Sequence, residues 1–325
     1  MNLLISGGAG YIGSHMVKYA QSYNHEVVVL DNFSTGHQWS ISDCEILEVD
    51  LLDKVKLEKL LKKRYFDGVI HFAGKSLVGE SFLKPDFYYE NNLKGTENLV
   101  AEMFKNDMNN LVFSSSAAIF GMPSSDRISE NHHKKPINPY GKSKLMVEEM
   151  LIDICNSYDF NATCFRYFNA AGAHRSGNIG EAHNPETHLI PIILKSIIHK
   201  KDDLKIFGND YETKDGTCIR DYVHVTDLAQ AHLAAFDHMQ QSKGFSSFNL
   251  GNGNGFSVLD IIESCMRVTN SSIDYEFADR REGDPPMLVA DSSKAKDLLS
   301  WNIEFSELDD IILSAYEWHS KEKIS

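Results

Sequence analysis

The chain has 325 residues, 42% of them hydrophobic and 24% charged, enough for two modest domains with substantial cores. A formal charge of −14 argues against nonspecific nucleic-acid binding, and no segment approaches the ~20 apolar residues of a membrane span. Five scattered cysteines without CxxC pairing fit reduced thiols in a cytoplasm, and the early first strand leaves no room for a signal peptide.

Leu3-Leu4-Ile5-Ser6 reads as a short buried strand over 2–6, followed by Gly7-Gly8-Ala9-Gly10-Tyr11-Ile12-Gly13 and a helical stretch over 13–22. Glycines 7, 10 and 13 allow a tight turn, close approach of backbone N–H groups to a pyrophosphate, and close helix–strand packing. The strand before and the helix after supply the context that a lone glycine triplet lacks. Tyr11 and Ile12 belong to the same candidate cofactor loop. A second strand, 26–30, ends at Asp31, 18 residues beyond Gly13. A carboxylate there can accept both ribose hydroxyls of an adenosine and would repel a 2′-phosphate. Asn32-Phe33-Ser34 follows with no arginine close by, so the inference is NAD and not NADP.

Further strands are expected at 45–48, 67–72, 110–115 and 162–167, with helices at about 54–64, 91–106 and 140–157. This alternation predicts an α/β fold built on a Rossmann-type, doubly wound parallel sheet. Asp50-Leu51, after the third strand, is placed to flank an adenine ring. Phe72-Ala73-Gly74 closes the fourth, where loops at the carboxyl edge of the sheet meet a cofactor. Asn91 and Ser114 complete the candidate cofactor contacts. Lys59, Lys62, Lys63 and Arg64 read as a solvated helix end. His132-His133-Lys134-Lys135 reads as an exposed loop without acidic or cysteine partners at ligand spacing, and no metal centre is expected.

Ser114-Ser115-Ser116 ends the fifth strand, and Pro139-Tyr140-Gly141-Lys142-Ser143-Lys144 opens the next long helix. Tyr140 and Lys144 stand at i and i+4, on one helix face. A free tyrosine has a pKa of about 10; a fixed cation one turn away is expected to favour the phenolate and bring it toward working range. Ser116 is placed to share a substrate proton with Tyr140. The same helix carries Leu145, Met146, Val147, Met150, Leu151, Ile152 and Ile154, apolar over most of its circumference. One side can cover the sheet, and the remainder needs another partner.

From about residue 170 the pattern loosens into loops rich in Gly, His, Asn and Pro. Helices are expected near 188–199, 226–240, 257–268 and 306–320, with strand-like stretches at 217–225 and 272–277. The expected organisation is a first domain over 1–170 and a smaller α/β substrate domain over 171–325, with 218–245 packing back on the first.

GGAGYIG, SSSAAIFG with YGKSK, RYFNAAGA at 166–173, IFGNDYETKDGTCIRDYVHV at 206–225 and RREGD at 280–284 resemble the extended short-chain dehydrogenase/reductases. Among these the likeness, end to end, is to the UDP-glucose (UDP-galactose) 4-epimerase family. The resemblance implies a tightly held NAD, a UDP-sugar substrate and an active site of Ser116, Tyr140 and Lys144. Tyr140 would take the proton of the sugar 4-hydroxyl, C4 would pass a hydride to the nicotinamide, and its return to the other face would invert C4. Lys144 would hold the nicotinamide ribose, with Phe168 as a nicotinamide neighbour. Asn169 would contact the diphosphate or sugar, and Lys205-Ile206-Phe207 would flank uracil. Arg220 and Arg281 would clamp the diphosphate, a task suited to planar guanidinium groups; Asp284 would take ribose hydroxyls, and His188 with Leu189 would touch the nucleotide. A homodimer joined through helices 91–106 and 140–157 is implied as well.

Departures from the family pattern bear on the sugar. Ala118 replaces a threonine, and Ser76 stands where a lysine usually does, with Lys75 one place early. His188 replaces an asparagine. Leu288 stands where members restricted to plain hexoses carry tyrosine, which leaves room for a 2-acetamido group and extends the expected substrates to UDP-GlcNAc and UDP-GalNAc. A 4,6-dehydratase would need an Asp-Glu pair where Ala117 and Ala118 stand. A UDP-glucuronate epimerase or decarboxylase would need a cation for the C6 carboxylate. A silent NAD-binding sensor would be expected to lack Tyr140 or Lys144.

Overall fold

The structure, a computed structural model, describes residues 1–201, 204–281 and 283–321. Its centre is a sheet of seven strands: β1 (Asn2–Ser6), β2 (Glu26–Asp31), β3 (Glu45–Glu48), β4 (Gly68–His71), β5 (Asn110–Ser116), β6 (Asn161–Tyr167) and β7 (Phe245–Leu250). The order across the sheet is β7-β6-β5-β4-β1-β2-β3, and every neighbouring pair is parallel. β1 lies in the interior of this sheet, and Leu3, Leu4 and Ile5 are all 0% exposed. A strand covered on both faces needs a continuous apolar run, not an alternating one.

The two faces separate cleanly. Leu3, Ile5, Val29, Ile70, Val112 and Phe165 pack under α1 (Tyr11–Ser22) and the late helix Val225–Gln241. Leu4, Leu30, Val69, Leu111 and Phe113 pack under α2 (Lys54–Leu61), α3 (Gly95–Lys105) and α4 (Pro139–Ser157). A second apolar core gathers Ile190, Ile193 and Leu194 with Ile261, Ile262, Ile311 and Ile312, from the helices Leu189–His199, Val258–Thr269 and Leu308–His319. Among the described residues no helix is long and apolar enough to cross a membrane, and all five cysteines are free.

Several elements differ from the expectation. The seventh strand was not foreseen, since FSSFNL at a sheet edge carries serines and too little apolar density to announce itself. The helix expected at 91–106 starts at Pro85, passes through a π-helical turn over Tyr89–Lys94, and continues as α3. The wide turn coincides with the buried amide of Asn92. The strand expected over 217–225 breaks into Ile219–Arg220 and Tyr222–His224. Between them the buried Asp221 carboxylate accepts N–H bonds from Asn252, Gly253 and Ala290 at 2.7–3.0 Å.

One buried ion pair fixes α4 on the sheet. Glu148 is fully buried and accepts from the Arg166 guanidinium through both oxygens (2.9 and 2.7 Å) and from Ser115 Oγ at 2.6 Å. Burial alone would raise this carboxyl; the Arg166 bonds and charge hold it below its usual range. Breaking such a pair by removing one partner costs about 3–5 kcal/mol, because the remaining charge stays buried. Arg166→Met is therefore expected to destabilise the protein by about 3 kcal/mol, read from urea unfolding; a loss below about 1 kcal/mol would match only an exposed pair.

Candidate active site

The parallel register sets the floor of the site. Ser6 pairs with both Leu30 and His71, and His71 with Phe113. Gly7, Asp31, Phe72 and Ser114 therefore stand in one row, a residue further along four adjacent strands, where ligands of open α/β sheets collect. Gly7 has φ +76, and a Cβ there would lie 2.4 Å from the amide nitrogen of Ala73. One on Gly13 would lie 2.1 Å from the Gly7 carbonyl oxygen. Gly10 differs, since its Cβ would meet nothing closer than 3.4 Å, so it faces open space. Gly10 is also the N-cap of α1, with no side-chain cap and no acid in the first turn. The first amides of α1, at Tyr11 and Ile12, thus form an uncapped helix N-terminus, which favours an anion. The Tyr11 hydroxyl is committed elsewhere, donating to the Gly172 carbonyl at 2.5 Å.

Asp31 is 8% exposed and accepts from the amides of Ala9 (2.9 Å) and Phe33 (2.8 Å). Burial raises its carboxyl, and those N–H bonds pull the other way. Asn32 donates to Asp50 at 2.8 Å, and Asp50 also accepts the Leu52 amide. The Leu51 side chain is buried, and its carbonyl accepts from Asn98. Lys75, displaced by one place in sequence, nevertheless reaches this cleft, with Nζ donating to Ser34 Oγ at 3.1 Å. Its charge acts to lower Asp31.

Gly74 joins the cofactor row to the tyrosine helix, since a Cβ there would lie 3.5 Å from Lys144 Nζ. Lys144 is 4% exposed, donates to the Ser114 carbonyl at 2.8 Å, and sits 4.8 Å from the Phe113 ring centroid. Burial lowers its ammonium to about 8. The Ser114 hydroxyl accepts from Tyr167. Ser116 caps a short 3₁₀ turn by accepting the Ala118 amide, and its hydroxyl lies near enough to Tyr140 to pull the phenol's pKa down. The expected lowering of Tyr140 by Lys144 is not what the structure gives. Burial raises the phenol, and the opposing influence comes from Ser116; the lysine ammonium is turned to the Ser114 carbonyl and the Phe113 ring. Asn91 donates to the Phe87 carbonyl at 3.0 Å. Its neighbour Asn92, unmarked by sequence reading, accepts the Lys75 amide and donates to the Lys75 carbonyl and Ser143 Oγ, so it fixes the 74–76 loop on α4.

The substrate candidates form a connected but longer arc. Phe168 and Leu288 join Leu145 in packing against a cluster that contains Ala117, which brings Leu288 to the Ser116 end of the site. Leu288 pairs with Arg220 in a short parallel ladder, and Arg220 is ion-paired with Asp284. Asn169 donates through backbone and side chain to the Asp221 carbonyl. On the strand Leu204–Phe207, Lys205 and Phe207 point outward. Ile206 lies in the core, which leaves only its backbone for a ligand. The Arg281 guanidinium covers the Phe207 ring at 4.2 Å. Leu189 begins its helix, and His188 turns into a cluster with Glu181 (2.7 Å) and Glu186 (3.0 Å). Against the cost of burial, the two imidazoles of His183 and His188 hold Glu181 down to about 2.

Residues 3–251 match the model of the NAD dependent epimerase/dehydratase family. A UDP-glucose 4-epimerase of Halalkalibacterium halodurans is 46% identical over 321 residues, 99% of this chain and 96% of that protein. The chain belongs to the UDP-glucose 4-epimerase family. Among solved structures, the UDP-glucose 4-epimerase from Brucella ovis in complex with NAD superposes with a TM-score of 0.94 at 44% identity, covering 98% of each chain. The UDP-Glc/GlcNAc 4-epimerase from Campylobacter jejuni does so with a TM-score of 0.86 at 42% identity, again over 98% of each. The parallel sheet described above is thus the fold of this family.

Proposed function

We propose that this chain interconverts UDP-glucose and UDP-galactose by inverting C4 of the sugar, with NAD as its cofactor. The observation that carries the reading is contiguity: the glycine cradle leaves no room for a Cβ against Ala73, Gly74 lies beside Lys144 Nζ, and the same helix brings Tyr140 near Ser116. The residues fit the cofactor. Uncapped amides at Tyr11 and Ile12 suit its diphosphate, Asp31 an adenosine ribose, and Lys144 the nicotinamide ribose. Bound NAD supplies a hydride acceptor and donor for C4, together with a positive ring charge. Tyr140 moves the proton of the sugar 4-hydroxyl, and Ser116 holds that hydroxyl in line. Tyr140 rests protonated because it is buried and Lys144 is turned to the Ser114 carbonyl, so the positive charge that would favour the phenolate is that of the cofactor ring. Arg220, ion-paired with Asp284, and Arg281 over Phe207 are assigned to the nucleotide, which stays fixed while the sugar turns over.

The reading extends to the 2-acetamido pair, UDP-GlcNAc and UDP-GalNAc. Leu288 sits in an apolar corner with Phe168 and Leu145, where a leucine occupies less room than a tyrosine. The Campylobacter jejuni relative, a UDP-Glc/GlcNAc 4-epimerase, makes the extension consistent with the family. Five free cysteines suit a reducing, cytoplasmic setting. A homodimer joined through α3 and α4 is proposed on the apolar groups these helices leave outward, Phe104 (36% exposed) and Met146 (42%); sedimentation should give twice the chain mass, and a monomer at micromolar concentration would refute it.

Tyr140→Phe is expected to lower kcat by about 10²–10⁴-fold while NAD stays bound, and near-normal turnover would reject the assignment. Leu288→Tyr is expected to lose the acetamido pair while keeping UDP-galactose turnover. Product analysis with all four UDP-sugars reads both, and equal loss of the two pairs would count against a size filter at Leu288.

A further inference from the structure

We infer that Glu181, His183, Glu186 and His188 form a binding site for a zinc-class divalent cation. The four lie on the loop before the helix Leu189–His199, in the spacing Glu-x-His-x-x-Glu-x-His. One ligand atom from each can be chosen so that all four fall within 4.8 Å of one another. Both imidazoles present Nδ1 to the Glu181 carboxylate, His183 at 3.0 Å and His188 at 2.7 Å, and His188 Nδ1 also lies 3.0 Å from Glu186. Ligand atoms around a tetrahedral zinc, with bonds of about 2.0–2.2 Å, stand roughly 3.3 Å apart. The three contacts at 2.7–3.0 Å need to open by a few tenths of an ångström, and the wider spacings of the set, up to 4.8 Å, need to close.

A second observation points to a ligand. The Glu186 side chain is 10% exposed, and one of its oxygens, Oε2, is buried with no hydrogen-bond partner. Its other oxygen already accepts from the Thr187 and His188 amides and meets the His188 ring. Glu181 is 5% exposed, and its ion-pair partners are the two imidazoles. Between the two carboxylates the His188 ring carries the balancing positive charge, held up to about 10 by both of them against the cost of burial, and a divalent cation would take the place of that proton. Two imidazoles and two carboxylates make a closed four-ligand set that suits zinc better than magnesium or calcium, which prefer oxygen alone. The His183 side chain, 28% exposed, leaves a way in.

The surroundings hold the loop in place. Trp318 Nε1 donates to the Glu181 carbonyl at 2.9 Å, and His37 meets the Ala182 carbonyl at 2.8 Å. The Tyr11 ring stands edge-on to His183 at 6.2 Å. The cation would therefore pin the 181–188 loop beside the start of α1, and would make His188 a ligand in place of a nucleotide contact. It is a structural site, remote in role from proton transfer at Tyr140.

The full-length chain, stripped with a chelator and dialysed against micromolar zinc chloride, is expected to retain about one zinc per chain by elemental analysis and to unfold at a higher temperature than the stripped protein. His183→Ala and Glu186→Gln should lose both the retained metal and the thermal shift. Cobalt loaded into the wild-type chain should give the strong visible absorption of a four-coordinate ion, a readout that does not depend on either variant folding. No retained zinc in the wild type, zinc retained equally by both folded variants, or cobalt giving only the weak spectrum of a hydrated ion would each overturn the assignment.

Discussion

The constraint on which the cleft depends is the close approach of the glycine turn after β1 to the loop after β4 and to its own helix. Gly7, at φ +76, touches the backbone of Ala73, and Gly13 touches the carbonyl of Gly7. No side chain fits at either point. That pair of contacts brings the first strand, the start of α1 and the loop after β4 to one place, so their backbone groups converge on a shared cleft. Gly74 then carries the contact to Lys144 on α4. The buried Glu148–Arg166 pair keeps α4 from sliding, because Glu148 lies one turn beyond Lys144 and is bonded to β5 and β6.

Burial sets the resting charge of the site. Lys144 and Tyr140 are both held where water is scarce, and in each case the environment disfavours the charged form. The lysine is lowered to about 8 and the phenol is raised. An i, i+4 spacing puts two side chains on one face, but does not decide which atom each one turns toward. Here the ammonium faces a carbonyl and a ring, so the charge that activates the phenol must be completed by what binds beside it.

Legibility in the sequence followed burial. β1, β2 and the glycine loop were readable because central parallel strands need unbroken apolar runs and the turn needs glycine at fixed points. The row of Gly7, Asp31, Phe72 and Ser114 was likewise open to reading, since each lies at or within two residues of the carboxyl end of a strand. What escaped depends on long-range partners that leave no local pattern. Asn92 and Asp221 are single polar residues whose importance comes from backbone groups brought to them by the fold. The edge strand β7 has no apolar run to show, and the π-helical turn has no compositional mark. The Glu-x-His-x-x-Glu-x-His spacing at 181–188 stands in the sequence, but the convergence of its four side chains shows only in the fold.

Tyr11 ties these threads together. Its amide belongs to the helix terminus that suits a diphosphate, while its hydroxyl donates to Gly172 and its ring meets His183. A single residue thus links the cofactor cradle to the loop that leads into the helix Leu189–His199. The loop before that helix and the start of α1 therefore adjoin through one side chain. A sugar that must turn over between two hydride transfers needs such a frame, because its freedom is useful only if everything around it stays still.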